Sequence, residues 1–218
     1  MNEPFSQSGP EDPIPGDSIR RGAVNSYFDA AAKEYGENSE KGAWAWLKNA
    51  EYNAVASQLG SITGLVILDA GCGAGWYAKR LALQKPKAYV ALDALFSMVV
   101  RARDEGMDAL VADSQSLPFK PVFDVVLCAG ALEFMESPPL FFLEAARVLR
   151  PGGQLTLLAP TNSAPGKLYR WWHGRHGFDI HLFGEEDLAS MASSAGLRLE
   201  SLGRAGIFNL AARMRKPG

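Results

Sequence analysis

Asp69, Gly71, Gly73 and Gly75 form the pattern D-x-G-x-G-x-G, directly after the apolar run Val66-Ile67-Leu68. That spacing suits the cradling of a nucleotide-type cofactor. Glycines permit positive φ and let a ligand approach without a Cβ in the way. The amides of a helix starting near Trp76 then point at whatever sits above the turn. Asp69 bears on which cofactor. A carboxylate two residues before the first glycine repels a pyrophosphate but suits a cation such as an α-amino group. A dinucleotide loop follows G-x-G-x-x-G, and Trp76 stands where its third glycine belongs. Both features disfavour a nicotinamide oxidoreductase and favour an amino-acid-bearing nucleotide. The bland alternative is a strand-to-helix turn that holds no ligand.

Two further acids stand where a nucleoside would meet them. Asp93 follows the turn by about 20 residues, at the end of a second apolar run, where a carboxylate can accept both ribose hydroxyls. Its structural alternative is an acid favoured by a helix dipole. Asp113, followed by Ser114, can accept a bond from an adenine amino group, or it can simply close a turn.

A second reactive group lies in residues 161–183, a stretch long for a loop and therefore suspect as functional. It holds Tyr169, Trp171, Trp172, Phe178 and Phe183, together with His173, His176 and His181, the only histidines of the chain. Arg170 and Arg175 flank them. No cysteine joins them and Asp179 is the nearby acid, so no metal site is expected. A histidine here can serve as general base or substrate contact; otherwise all three pack or face solvent. Arginine mixed with aromatics also suits nucleic acid, but the segment is short and the chain is not basic.

The elements that must position these residues follow from periodicity. Strand-like runs end at Asp69 and Asp93, then cover 109–112, 123–129 and 153–159. Helical patterns separate them at 76–84, 95–105 and 140–149, and a further helix opens at Glu185-Glu186-Asp187 and stops at Gly196. Alternating strands and helices predict an α/β fold, a doubly wound parallel sheet with helices on both faces. Residues 197–203 and 206–213 read as two final strands. Upstream, Pro4, Pro10, Pro13 and Pro15 mark residues 1–18 as a disordered tail. Residues 19–59 read as a helical cap, with one helix from Asn25 or Ser26 to Tyr35 and another from Gly42 or Ala43 to Leu59. Tyr27, Tyr35 and Trp44 make that cap a candidate cover for a flat organic substrate.

Composition sets the outer limits. The chain of 218 residues suits one domain with a sizeable core, and 47% hydrophobic with 21% charged residues is ordinary for a globular protein. A net charge of −2 gives no overall drive toward nucleic acid or anionic membrane. Cys72 and Cys128 read as reduced thiols. The start Met-Asn-Glu-Pro lacks a signal-peptide pattern, and no apolar run approaches the ~20 residues needed to span a bilayer. A cytoplasmic location is the expectation.

The glycine motif resembles that of class I S-adenosylmethionine-dependent methyltransferases, and most of residues 24–200 resembles the group related to ubiquinone/menaquinone biosynthesis methyltransferases. The resemblance is carried by Asp93 with Met98 and Ala102-Arg103, by 112–119 (Ala-Asp-Ser-Gln-Ser-Leu-Pro-Phe), by Phe123-Asp124-Val125-Val126, and by 147–153 (Arg-Val-Leu-Arg-Pro-Gly-Gly). His181-Leu182-Phe183 and Ala195-Gly196-Leu197 add to it. Each piece is weak alone, but their order and spacing are specific. The resemblance implies Asp69, Gly71 and Gly73 around the methionine part, Asp93 on the ribose, and Asp113 and Ser114 at the adenine. Cys72, Gly75, Ala94, Met98 and Ala129 complete the expected cofactor surface. It further implies a Rossmann-like sheet, mostly parallel, whose last two strands form an antiparallel hairpin at the edge.

Two positions depart from the family pattern. Leu95 replaces a Ser that often caps the next helix. Phe134 replaces the His of a Leu-Glu-His segment, so no acid/base role of that His carries over. The expectation is therefore one domain over 19–218, with residues 160–184 as a substrate-side insert. It would transfer a methyl group from S-adenosylmethionine to an O, N or C atom of a small, flat or lipophilic acceptor and release S-adenosylhomocysteine. His173 and His176, with Glu133 behind them, are the candidate bases, and Tyr27, Tyr35, Trp44, Tyr169 and Trp172 the candidate substrate walls. The competing expectation is a non-catalytic protein that keeps the fold and binds the cofactor or a partner.

Overall fold

The computed structural model describes residues 42–218 apart from His176 and Phe178, and only the backbone of Gly42, Ala43 and Trp44. The tail, the helix expected over 25–35, Tyr27, Tyr35, His176 and the Trp44 side chain thus lie outside the described residues.

Seven strands are present: β1 (Val66–Ala70), β2 (Ala88–Asp93), β3 (Asp108–Val111), β4 (Phe123–Ala129), β5 (Leu149–Pro160), β6 (Arg198–Ala205) and β7 (Asn209–Arg215). They form one sheet in the order β3-β2-β1-β4-β5-β7-β6. The first five pair in parallel, and β7 runs antiparallel to both β5 and β6. The described helices are α1 (Gly42–Leu59), α2 (Trp76–Leu81), α3 (Phe96–Asp104), α4 (Pro138–Val148), α5 (Ala164–Gly174) and α6 (Glu185–Ser194). This is the Rossmann-like arrangement with a C-terminal hairpin.

The apolar runs of the central strands follow from burial on both faces. Side chains alternate across a strand. Val125 and Leu127 of β4 therefore join Ile67, Val55, Leu59 and Leu81 on the α1–α2 side. Val126 and Cys128 join Leu68, Phe141, Phe142, Leu188 and Met214 on the α4–α6 side. Asp124 fastens the start of this centre. Its Oδ2 accepts the Val66 amide (2.8 Å) and its Oδ1 the Arg150 guanidinium (2.8 Å).

The segment 112–119 is held by α4. Arg147 donates to the carbonyls of Leu117 and Phe119, at 2.7 Å each, and Glu144 accepts the Leu117 amide at 2.7 Å. The Arg147–Glu144 ion pair is itself solvent-exposed and worth at most about 1 kcal/mol. Its use is to aim both side chains at a backbone that has no strand partner there.

The stretch expected as a long loop, 161–183, is instead half helix. Ser163 precedes the first turn and Pro165 sits inside it, the preferred place for a residue without an N–H. Aromatic residues and histidines there concealed an ordinary helix start. Gly166 is the tight point: a Cβ would collide with the Thr161 carbonyl. Gly174 at the other end of α5 has open space around it. Gly166→Ala should therefore lower stability by about 2 kcal/mol or more, or roughly 4–8 °C in Tm for a chain of this size. Gly174→Ala should be neutral or slightly stabilising. Thermal melts of the two variants check this.

Candidate functional site

The order of strands reverses at β1, which lies between β2 and β4, and an open α/β sheet binds ligands at such a point beyond its carboxyl ends. The glycine turn lies there. Gly71, Gly73 and Gly75 adopt φ of 82°, 53° and 84°. The amides of Gly71 and Cys72 both donate to the Leu92 carbonyl (2.8 and 2.9 Å), which ties the turn to β2. A Cβ on Gly71 would collide with that of Ala131, and one on Gly75 would press on Met107 and Ala102 of the α3 region. These two glycines allow close packing. A Cβ on Gly73 would meet nothing within 4 Å, so this residue faces open space.

Two acids bracket the turn. Asp69, the penultimate residue of β1, is buried, and the Tyr89 hydroxyl donates to its Oδ2 at 2.7 Å. Burial raises its pKa to about 7, against the lowering by Tyr89, with Asp93 adding a further rise. Asp93 accepts the Gly73 amide through Oδ2 (2.9 Å) and the Leu95 amide through Oδ1 (2.9 Å). The structure supplies a substitute for the Ser missing at 95: Leu95 offers no side-chain cap to α3, and Asp93 fixes the corner instead. Burial raises the Asp93 pKa despite these amide bonds. Each carboxylate oxygen has two lone pairs, so Asp93 keeps acceptor capacity for a pair of hydroxyls. Asp93 thus serves the local turn and stays available to a ligand.

The remaining expected cofactor residues surround this corner. Cys72 is buried, and burial pushes its thiol pKa up. Ala94 is exposed at the end of β2, Met98 is buried on α3, and Ala129 closes β4. Asp113 is exposed and closes a turn by accepting the Gln115 amide (2.8 Å) and side chain (3.2 Å). Ser114 beside it is buried.

A second group of side chains lies next to the turn. Glu133 sits in the short 3-10 helix Leu132–Phe134 that follows β4. It is 3% exposed, and its Oε2 has no hydrogen-bond partner among the described residues. Burial pushes its pKa to about 7; its own amide and Lys48 lower it, and Glu51 raises it. The buried Trp76 Nε1 and Tyr77 hydroxyl also lack partners among the described residues, and their rings meet at 5.0 Å. Burial and the charges of Glu51, Asp69 and Glu133 raise the Tyr77 pKa, while Arg80 lowers it. Glu51 of α1 is held by Asn209 (2.7 Å) and Lys48 (3.4 Å).

Helix α5 supplies the facing wall. His173 is buried among Tyr169 (4.5 Å), Trp172 (4.9 Å) and Phe134 (5.7 Å), all edge-on. Tyr169 stacks on Phe208. The His181 amide donates to the Glu133 carbonyl at 3.0 Å. The structure therefore brings His173 to the segment that carries Glu133, with Tyr169 packed on it, while Trp172 beside them is 42% exposed. Among the described residues, no three His, Cys, Asp or Glu side chains gather as metal ligands. A separate cavity of about 390 Å³, lined by Asp124, Arg150, Gly152, Arg213 and Arg215, lies at the opposite end of the strands.

Sequence reasoning missed Glu51, Tyr77 and Tyr89. Glu51 had a signal, since it interrupts the inward stripe Leu47, Val55 and Leu59 of α1. Tyr89 had none. Its meeting with Asp69 depends on the register that sets Asp69 against Ala91.

Two outcomes follow for the ligand-free protein. Gly71→Ala should cost about 2 kcal/mol or more and destroy the turn, read by urea unfolding. The pKa values of Asp69 and Glu133 are raised on folding. Their stabilising effect is full below about pH 4 and is lost as pH rises through about 7. Denaturation midpoints should fall between pH 5 and 8, and Asp69→Asn or Glu133→Gln should flatten that fall.

Residues 68–157 match the family model described as a methyltransferase domain. The chain is 35% identical over 142 residues to malonyl-acyl-carrier-protein O-methyltransferase of Hahella chejuensis, covering 62% of this chain and 51% of that protein. It spans about half or less of the length of the first curated relatives it matches. The 1,6-didemethyltoxoflavin-N1-methyltransferase of Burkholderia thailandensis, solved with 1,6-didemethyltoxoflavin and S-adenosylhomocysteine, shares the fold with TM-score 0.70 at 20% identity, covering 95% of this chain and 93% of that one. The (4+2)-cyclase SpnF shares it with TM-score 0.73 at 20% identity, covering 89% of this chain and 95% of that one.

Proposed function

We propose that this chain, which belongs to the class I S-adenosylmethionine-dependent methyltransferases, transfers the methyl group of S-adenosylmethionine to a small-molecule acceptor. The observation that carries the reading is the glycine turn at the strand-order reversal, with Gly73 open and the buried Asp69 and half-buried Asp93 on either side. Asp69 answers the α-ammonium group and Asp93 the ribose hydroxyls. Asp113 and Ser114 flank the adenine, and Cys72, Gly75, Ala94, Met98 and Ala129 shape the surface between. When bound, the cofactor supplies a methyl group on a sulfonium that is already an activated leaving group.

The protein's remaining task is to hold the acceptor in line at near-attack distance and keep water out. Tyr169 and Trp172 of α5 are the proposed wall, and Tyr27, Tyr35 and the Trp44 side chain, the other expected wall groups, lie outside the described residues; aromatic walls suit a flat or lipophilic acceptor. An O–H or N–H acceptor of high pKa needs a base. Glu133 takes that role ahead of His173 and His176. Its Oε2 is buried without a partner among the described residues, and a pKa of about 7 suits proton transfer at neutral pH. His173, enclosed by three aromatic rings, positions the wall. The two free, buried cysteines agree with a reducing, cytoplasmic setting.

A fold does not fix a reaction, so binding and transfer need separate tests. In calorimetric titration, S-adenosylhomocysteine should bind at micromolar Kd, NADH should not, and Asp93→Ala should weaken binding at least about tenfold. A labelled-methyl acceptor screen then reads transfer. Glu133→Gln should lower kcat by roughly 10²–10⁴, remove the acidic limb near pH 7, and leave S-adenosylhomocysteine affinity intact. Absence of S-adenosylhomocysteine binding by folded protein would sink the reading. Binding without any transfer would favour a non-catalytic role.

A further inference from the structure

Helix α5 has two faces, and only the inner one is used above. Its outer face carries Leu168 and Trp171, each 59% exposed. Their spacing of three residues puts them on one side of the helix. The same side and its flanks carry Lys167, Arg170 and Arg175, all exposed, and α5 contains no acidic residue. The Arg175 guanidinium lies over the Trp171 ring at 5.2 Å, and Arg170 pairs with Asp179 at 2.8 Å.

The turn between β6 and β7 reaches the same helix from its inner side, and its Ile207 is 50% exposed. That turn is anchored on both sides: a Cβ on Gly206 would press on Leu47, and Phe208 stacks on Tyr169 of α5. Leu83 and Val122, also exposed, lie singly on other elements, while Phe96 with Val100 on α3 and Leu140 with Leu143 on α4 are exposed pairs that include no tryptophan.

We propose that the outer face of α5 docks on an anionic lipid surface. Tryptophan and leucine beside lysine and arginine on one exposed helix face are the composition of a helix that lies in the membrane interface. Charge selects the occupant. The chain as a whole is at −2, but among the described residues this face is cationic, and Asp179 beside it is paired with Arg170. No described helix is long and apolar enough to cross a membrane, so contact of this kind is peripheral. Because His173 and Tyr169 lie on the inner side of the same helix, docking places the proposed acceptor wall at the lipid boundary. This rests on the methyl-transfer reading only for its purpose; the surface itself is tested without cofactor.

The test is co-sedimentation of the full chain with vesicles of phosphatidylcholine alone or mixed with phosphatidylglycerol. The protein should pellet with the mixed vesicles, release at high salt, and show a blue shift of tryptophan emission. Leu168→Ser with Trp171→Ser, and separately Lys167→Glu with Arg175→Glu, should lower partitioning at least about tenfold, as expected for two charges worth about 1 kcal/mol each. All four positions are exposed, so both variants should keep wild-type S-adenosylhomocysteine binding. Failure of wild-type protein to bind the mixed vesicles, or equal binding by the variants, would overturn the proposal. So would a dimer that Trp171→Ser dissolves while vesicles bind nothing, which would assign the face to a second copy. None of these failures alters the S-adenosylhomocysteine titration on which the methyl-transfer reading stands.

Discussion

One carboxylate holds the ligand end of this sheet together. Asp93 ends β2 and accepts one amide from the glycine turn after β1 and another from the start of α3. Together with the Leu92 carbonyl, which accepts the Gly71 and Cys72 amides, its two oxygens set the two corners. Partial burial makes this arrangement exacting, because a carboxylate and amides withdrawn from water need their partners. The residue that organises the site is thus also the one with acceptor capacity left for a ligand. That explains why the turn can be open at Gly73 and still be rigid.

The same economy does not hold at Glu133. There a carboxylate is buried and Oε2 is left unsatisfied among the described residues. Trp76 Nε1 and the Tyr77 hydroxyl are two more buried polar atoms without a partner among the described residues, beside the glycine turn. Buried polar groups without partners are unfavourable, typically by 1–3 kcal/mol each. A chain that keeps three near one crevice has put solubility in water and fold stability second there, which is what a site for a polar ligand group requires.

Much of the fold was legible because the strands are buried on both faces and the punctuation is strong. β4 lies at its expected bounds and β2 ends at Asp93 as expected, whereas β1 runs one residue past Asp69 and β5 starts at Leu149, four residues before the expected Gly153. The glycine turn was legible for the same reason. What could not be read was whatever depends on register or on elements far apart in the chain. Tyr89 reaches Asp69 only through β1–β2 pairing, and Glu51 meets Asn209 across 158 positions of sequence. Helix α5 was hidden by its own composition. Its histidines and tryptophans suggest chemistry, and they distracted from a serine and a proline that mark a helix start. The replacement of His by Phe134 was visible, but its effect was not: the ring packs edge-on against His173 and helps bury it.

Helix α5 also constrains how this protein can change over generations. Residues that face the site and residues that face outward alternate within eleven positions, Tyr169 and His173 on one side, Leu168 and Trp171 on the other. Inserting or deleting one residue after Gly166 would rotate everything downstream by roughly 100°, exchanging an enclosed imidazole for an exposed indole. Length variation is therefore tolerable only beyond Gly174. Change in α5 thus comes through replacement of one side chain at a time, within a frame whose phase is set at the Gly166–Thr161 contact.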